Sequence, residues 1–390
     1  MTFDGNKQSL NDHSQSMSLE ENIFISKQSL HEKFNANSVA FVKKILTDHL
    51  TKQMNISSIS GLESFSAVYL QDSTKFKLPH SAKNIYPGYH QAGASIQLTI
   101  DIKNNQFSNI SIHPETYNDV NEAANLNYLE EGSLMIRDLG YFSVKGFKAI
   151  LEKKSFFLSR LQPKTVLYKN SDKSSERLDI VDLIDNMRIN NISSIEKDLF
   201  ITYAKIPARV CFFLVPDLVR EKRIREARKY AKSRGWTMSK EFEIWASFSA
   251  YITNVDKEKL PLSIVKEIYK KRWQIELIFK TWKSFYNIQK YKSVKIERIE
   301  CYLYATLLKI IIHWKIMNIA QKCIDKFKEN ISFIKFIKAM LSMEKIIFEM
   351  IKGVEKSIFI LIETLLKIQK KMVKKEPKLK HLRVSLCNTK

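Results

Sequence analysis

The chain is poor in the residues that punctuate or staple structure. Its 390 residues include only 9 Gly, 8 Pro and 4 Cys. So few glycines and prolines argue against fibrous and low-complexity classes. The cysteines Cys211, Cys301, Cys323 and Cys387 form no close pair and no Cys/His cluster of zinc-ligand spacing. A disulfide framework and a structural zinc site are therefore not expected, and a reducing cytosol is. The most apolar stretch, Leu307–Ile319, is interrupted by Lys309, His313 and Lys315. It reads as too short and too charged to span a bilayer, so no membrane partner is expected. The first residues lack a basic segment followed by an apolar one, so no signal peptide is expected either. Acidic charge is also scarce: 41 Asp and Glu face 64 Lys and Arg, a net charge of +23.

What is abundant is apolar and basic. The chain is 44% hydrophobic, with 23 Phe and 15 Tyr, enough for a substantial core. The positive field attracts polyanions, nucleic acid first among them. A compositional bias competes with that reading, because 51 of the basic residues are Lys and only 13 are Arg.

Patterning divides the chain into five regions. Residues 1–58 form an N-terminal helical region, with residues 1 to 20 polar and expected to be disordered. Region 59–160 reads as a buried strand at Phe65–Gln71, ending at Asp72-Ser-Thr, and alternates in strand fashion at Ala94–Ile100 and Phe107–Ile112. It continues with a helix over Asn121–Leu129, a strand over Ser133–Arg137, a helix over Val144–Lys153 and a strand over Ser155–Arg160. Region 161–255 reads as an insertion with strand-like runs at Thr165–Tyr168, Val210–Val215 and Glu243–Thr253, plus one basic helix. Region 256–300 contains a strong helix over 261–286, and region 301–390 is helical and Lys-rich. The whole reads as an α/β protein flanked by helices.

Chemistry concentrates on the 261–286 helix. With Tyr269 set at zero and about 100° per residue, Arg272, Glu276 and Lys283 fall at roughly −60°, −20° and −40°. Four polar groups thus share an arc of about 60°, with Trp273 and Leu277 on one flank and Ile264, Ile268, Ile275, Phe279 and Trp282 on the other. The plainer alternative is an Arg272–Glu276 ion pair on a solvated face. Two more carboxylates, Asp72 and Asp138, end strand-like runs, where Asp also serves simply as a turn or cap residue. Three acidic groups from separate elements are what a pair of hard divalent cations requires for phosphodiester chemistry.

The spacing Tyr-(2)-Arg-(3)-Glu-(6)-Lys, in the wording Ile-Tyr-Lys-Lys-Arg-Trp-Gln-Ile-Glu-Leu-Ile-Phe-Lys, resembles the signature of the insertion sequence 4 family of bacterial DDE transposases. Asp72-Ser-Thr and Asp138-Leu-Gly-Tyr-Phe-Ser resemble its two aspartate blocks, in the same order. Phe157–Arg160 and Tyr251–Asn254 also match, and the resemblance covers roughly residues 60–320. It implies a ribonuclease-H-like catalytic core interrupted by a β-rich insertion, with helical N- and C-terminal regions. Asp72, Asp138 and Glu276 would be both catalytic and metal-binding, holding two Mg²⁺ ions, with Mn²⁺ as a substitute. Tyr269, Arg272 and Lys283 would hold phosphates. Water would attack the phosphodiester at the element's end, and the freed 3′-hydroxyl would then attack target DNA. Members of the family commonly pass through a hairpin, and a Trp can stack on a flipped base there. Trp236 and Trp245 are the candidates for that role.

The implied partners are double-stranded DNA (the element's terminal inverted repeats and the target) and a second copy in a homodimer, in a bacterial cytoplasm beside the nucleoid. Arg220, Arg223 and Arg228 of the basic helix are candidate DNA contacts, a solvated charged face being the alternative. A metal-dependent nuclease that does not transfer strands, or a DNA-binding protein derived from a transposase, are the rival functions.

Overall fold

A computed structural model describes residues 9–51, 62–172, 176–235, 240–292, 295–325 and 332–372. Helices α1 (Leu10–Glu21), α2 (Lys27–Lys33) and α3 (Ala36–Thr51) come first. Strands β1 (Val68–Lys77), β2 (Gly93–Asp101) and β3 (Gln106–Pro114) follow, then the short α4 (Asp119–Glu122), β4 (Leu134–Arg137), α5 (Val144–Glu152) and β5 (Phe156–Arg160). Next are β6 (Leu167–Tyr168), α6 (Ile180–Ile189), β7 (Ser194–Ile201), β8 (Ile206–Leu214), α7 (Asp217–Ser233), α8 (Lys240–Ala246) and β9 (Phe248–Thr253). Helices α9 (Leu262–Lys270), α10 (Trp273–Phe285), α11 (Ile296–Asp325), α12 (Phe333–Ser342), α13 (Glu344–Ile351) and α14 (Glu355–Met372) complete the order.

Two compact units result. One comprises Met1–Ile56, Leu78–Ala82 and Phe279–Lys390; the other comprises Ser57–Lys77 and Lys83–Ile278. The second unit is built on a nine-stranded sheet of order β3-β2-β1-β4-β5-β9-β8-β7-β6. Strands β1, β4 and β5 run parallel, and every other pairing is antiparallel. The run β3-β2-β1-β4-β5 has the order and directions of a ribonuclease-H-like core. The insertion adds its strands to that same sheet through β9, which pairs with β5 on one side and β8 on the other. One apolar cluster joins both parts: Tyr69, Met135, Phe147 and Phe157 from the core, and Ile184, Leu199, Val210, Phe212 and Ile252 from the insertion. Three helices accompany the insertion's strands, and Glu243–Ala246, read from sequence as strand, lies in α8.

The first unit holds two departures from expectation. Residues up to about 20, expected to be disordered, include α1. A capping box stabilises its start: the Ser9 hydroxyl accepts from Asp12 N at 3.1 Å, and the Asp12 carboxylate accepts from Ser9 N at 2.8 Å. Leu10 is buried with Leu30, Phe34 and Cys301, which supplies the apolar anchor that the polar sequence obscures. Leu307–Ile319 lies inside the 30-residue α11, so its length does not exclude a membrane span. By length and composition Ile296–Gln321 is long and apolar enough to cross one, yet 72% of that window is buried inside the fold.

Candidate active site

The sheet register brings the two aspartates together. Parallel strands β1 and β4 pair from Val68↔Leu134 to Gln71↔Arg137, and Asp72 and Asp138 are the next residue on each. Neighbouring strands lie about 4.8 Å apart, and side chains alternate between faces. Gln71 and Arg137 are buried on one side of the sheet, while Asp72 and Asp138 emerge on the other. Asp138 keeps extended dihedrals, φ −77 and ψ 168, so the alternation carries through it into the 3₁₀ turn Leu139–Tyr141. The expectation that β1 ends at Asp72 is not met: β1 continues to Lys77 because β2 pairs with it throughout. What ends at Asp72 is the parallel partner, and that leaves the carboxylate open on one side.

Glu276 arrives from a helix that is not the uninterrupted 261–286 helix expected. Between α9 and α10 the backbone tightens. Lys271 N donates to Ile268 O at 3.0 Å, Arg272 N to Tyr269 O at 3.0 Å, and Ile275 N to Arg272 O at 3.1 Å. These i→i−3 bonds overwind the turn relative to an α-helix, so the arc worked out for an ideal helix does not carry across it. Trp273 and Leu277, expected to enclose the arc on one side, are exposed.

Arg272, at that turn, gathers the three acids. Its Nη1 lies 2.9 Å from Asp72 Oδ2, its Nη2 lies 2.6 Å from Glu276 Oε1, and its Nε lies 3.7 Å from Asp138 Oδ1. The i,i+4 pair with Glu276 exists, but the same guanidinium also holds a carboxylate 200 residues away in sequence. The Arg272 and Asp72 side chains are only 15% and 17% exposed, against 43% for Asp138. Burial pushes the Asp72 carboxyl up to about 6. Asp138 and Glu276 push the same way, while a hydrogen bond from Ser73 N at 2.8 Å and the Arg272 charge oppose. Burial works against the Arg272 charge, but Asp138, Glu276, Tyr269 and Asp72 outweigh it and raise its pKa.

Three carboxylates facing one guanidinium are a hard-oxygen donor set with negative charge in excess, the chemistry that suits Mg²⁺ or Mn²⁺. Among the described residues no group of three His, Cys, Asp or Glu is drawn together closely enough to hold a metal ion. The positively charged guanidinium stands between the acids. The donor types fit a divalent metal.

Other residues singled out from the sequence fall in different settings. Tyr269 is buried against the Tyr251 ring, centroids 5.0 Å apart. Its hydroxyl has no hydrogen-bond partner among the described residues. Burial, with the nearby Asp138 charge, pushes that phenol above its usual range. Lys283 belongs to the other compact unit, where burial lowers its pKa. The basic helix α7 ends at Ser233, and Gly235, at φ +69, takes the left-handed conformation that commonly closes a helix.

Arg223 of α7 is half-buried and donates to the carbonyls of Ala246 and Phe248 at 3.3 and 3.0 Å and to Ser249 Oγ at 3.1 Å. Those bonds tie α7 to α8 and β9. Arg228 is exposed and paired with Glu243 at 2.9 Å. Arg220 lines a cleft of about 610 Å³ together with Arg225, Arg228, Lys229 and Lys232. Trp245 leans on Phe248, centroids 5.0 Å apart, and borders a second cleft with Lys164 and Arg177. Trp236 lies outside the described residues.

Sequence reasoning passed over two groups. Arg137 is buried, donates to Ala123 O at 2.8 Å and lies 5.8 Å from the Tyr141 ring. It anchors the strand end that carries Asp138, and its position directly before that aspartate was the available signal. Arg160 ends β5, and its charge opposes the burial that raises the Tyr251 and Tyr269 phenols. Its only signal in the sequence is its place at the end of the Phe157–Arg160 block.

Strand order and flanking helices define an α/β protein with a ribonuclease-H-like core. Residues 63–312 match the family described as the transposase DDE domain. The chain belongs to that family, whose members in general depend on divalent metal. It is 31% identical over 336 residues to the transposase for insertion sequence element IS231F of Bacillus thuringiensis subsp. israelensis, a match covering 80% of this chain and 70% of the relative. It is 30% identical over 353 residues to the transposase for insertion sequence element IS1151 of Clostridium perfringens, covering 84% and 74%.

Proposed function

We infer that this transposase cuts DNA at the ends of an insertion sequence and joins the freed ends to a target, with Asp72, Asp138 and Glu276 as its reacting acids. The observation that carries the reading is the convergence of these three side chains, from β1, the end of β4 and α10, on the single guanidinium of Arg272. Asp72, Asp138 and Glu276 would hold two Mg²⁺, or Mn²⁺ in substitution. Bound there, such a pair activates an attacking oxygen and stabilises a leaving one at phosphorus.

The remaining work falls to the chain's own side chains. In the first step a water oxygen bonds to the phosphorus at the element's end, the P–O3′ bond breaks, and a 3′-hydroxyl is freed. In the second step that 3′-oxygen bonds to a target phosphorus as the target's own P–O3′ bond breaks. Tyr269, whose buried hydroxyl has no hydrogen-bond partner among the described residues, and Arg272 suit contact with the phosphates beside the cut. Lys283 would add a point charge. Arg220, Arg228 and their neighbours on α7 would track the backbone further out. Trp245, or Trp236, would stack on a base flipped from the element's end. The DNA partners would be the terminal inverted repeats and the target, with two copies of the chain pairing the ends beside the nucleoid.

Glu276→Gln tests the assignment. It should lower cleavage by at least about a hundredfold, because the metal contribution is worth several kcal/mol, while DNA binding persists. Cleavage at the wild-type rate would overturn the assignment. In chelator both cleavage and the joining of pre-cut ends should stop, with Mg²⁺ or Mn²⁺ restoring them.

A further inference from the structure

We propose that Arg272 is an internal counter-cation: it occupies the acidic cluster when no divalent metal is bound, and metal loading displaces it toward the DNA phosphate. The inference rests on reading Asp72, Asp138 and Glu276 as the metal-binding acids, and it assigns the arginine a second partner that this reading alone does not require.

The geometry supplies the first half. A surface arginine answering Glu276 at i,i+4 needs only that one carboxylate. Arg272 instead spreads its fork over Asp72 at 2.9 Å and Glu276 at 2.6 Å, with Asp138 3.7 Å from Nε. The fit is incomplete: Nε is buried and has no hydrogen-bond partner among the described residues. A guanidinium donates in one plane, so it satisfies two of three acids converging from different elements and strands the third. A spherical cation has no such restriction. The arginine therefore holds the cluster without suiting it fully, as a replaceable occupant does.

Charge supplies the second half. Three carboxylates and one guanidinium leave a net charge of two negative in a half-buried pocket. Two divalent cations would turn the same pocket positive, and the guanidinium would then be repelled from it. A DNA phosphate brings back negative charge and matches the arginine fork in two-point geometry. Hydrogen bonds within the overwound turn between α9 and α10 hold the Arg272 backbone, so the movement is one of side-chain rotamer. Metal binding and DNA binding become coupled through one side chain, each strengthening the other to the same degree.

Calorimetric titration of the full chain with Mn²⁺, without DNA, tests the proposal. Wild type, Arg272→Gln, Arg272→Lys and Asp72→Asn are compared, together with their melting temperatures with and without Ca²⁺. Removing the competitor should tighten Mn²⁺ binding about tenfold in Arg272→Gln, within the usual 5–150-fold range of such couplings. The metal-free melting temperature of that variant should fall, and Ca²⁺ should restore it by more than it raises wild type. Arg272→Lys keeps the charge and loses the fork, so it should fall between the two, and it decides the matter if the glutamine variant does not fold. Equal or weaker Mn²⁺ affinity in both arginine variants overturns the displacement proposal while leaving the metal site standing. Mn²⁺ binding that is absent in wild type and both arginine variants, or unchanged in Asp72→Asn, overturns the metal-site reading itself.

Discussion

Replacing Arg209 with methionine should cost the second unit about 3–5 kcal/mol, the usual penalty for removing one partner of a buried ion pair. Arg209 sits on β8, and its side chain is 3% exposed. It pairs with Glu196 of β7 at 2.7 Å and donates to the Val255 carbonyl at 3.2 Å and the Leu260 carbonyl at 2.6 Å. Those carbonyls lie in the segment between β9 and α9. One side chain therefore fastens the insertion to the stretch that leads into Tyr269, Arg272 and Glu276. Methionine fills much of the space but offers no donor. Two buried carbonyls and a mostly buried carboxylate lose their partner, each at a desolvation cost of about 1–3 kcal/mol. Lys257, 3.5 Å from Glu196, recovers part of the carboxylate's loss, so the separate costs do not simply add.

Thermal melting followed by circular dichroism reads the effect. At roughly 2–4 °C per kcal/mol for a domain of this size, the midpoint should fall by about 6–20 °C. Glu196→Gln alone should cost less. The Arg209→Met, Glu196→Gln double variant should lose less than the sum of the two, because the charge stranded by the first change is removed by the second. A loss under about 1 kcal/mol, or strict additivity, would refute the view of Arg209 as a staple.

Two further outcomes follow from groups placed away from the acids. Burial, with Lys309 nearby, depresses His313 to about 3, and its ring nitrogen meets the Tyr286 hydroxyl at 2.8 Å. The unfolded chain then binds a proton below about pH 6.5 that the folded chain refuses, so this stability is complete above pH 6.5 and is lost as pH falls toward 3, at up to about 1.4 kcal/mol per pH unit. His313→Gln should flatten the decline in urea midpoint between pH 7 and pH 5, and an unchanged slope counts against it. On α7, Arg225 and Lys229 are exposed one turn apart, whereas Arg223 is spent on backbone carbonyls. Removing Arg225 and Lys229 together should reduce the slope of log affinity for DNA against log salt by about 2. Arg223→Ala should instead lower the melting temperature; fluorescence anisotropy over a salt series separates the two, and an unchanged slope in the double variant rules out backbone contact by this helix.

The fold was legible where one physical rule dominates. Alternation marked β2 and β3, because successive side chains of a strand point to opposite faces of the sheet, and apolar runs ending in Asp marked β1 and β4. Legibility failed where tertiary context decides. Asn121–Leu129 has helical composition, but only Asp119–Glu122 is helical. Glu122 is fully buried there and meets the Tyr117 hydroxyl at 3.1 Å and the Asn125 amide at 3.2 Å, so the segment is fixed by side-chain bonds instead. Strand β7 was missed because Ser194-Ile-Glu-Lys-Asp-Leu-Phe-Ile carries charge where only one face is covered. α1 was missed because a capping box and one leucine hold an otherwise polar helix.

The candidate site was legible as residue types and order, and illegible as geometry. Nothing in Asp72 or Asp138 alone distinguishes a reacting acid from a turn former. The distinction lies in a parallel register, Gln71 opposite Arg137, that no local pattern encodes. Once that pairing exists, the alternation of the strands forces the next two residues onto one face. Because β4 stops there while β1 runs on beside β2, the two carboxylates meet at the point where the sheet opens. The third acid needs a helix arriving over that opening, and the overwound turn at Lys271–Arg272 sets its approach. The spacing Tyr-(2)-Arg-(3)-Glu-(6)-Lys reads as four groups on one ideal helix. In the structure it spans a break that turns Arg272 toward three acids at once, so a substitution that straightened the break would move the arginine away from Asp72 while leaving its i,i+4 partner within reach.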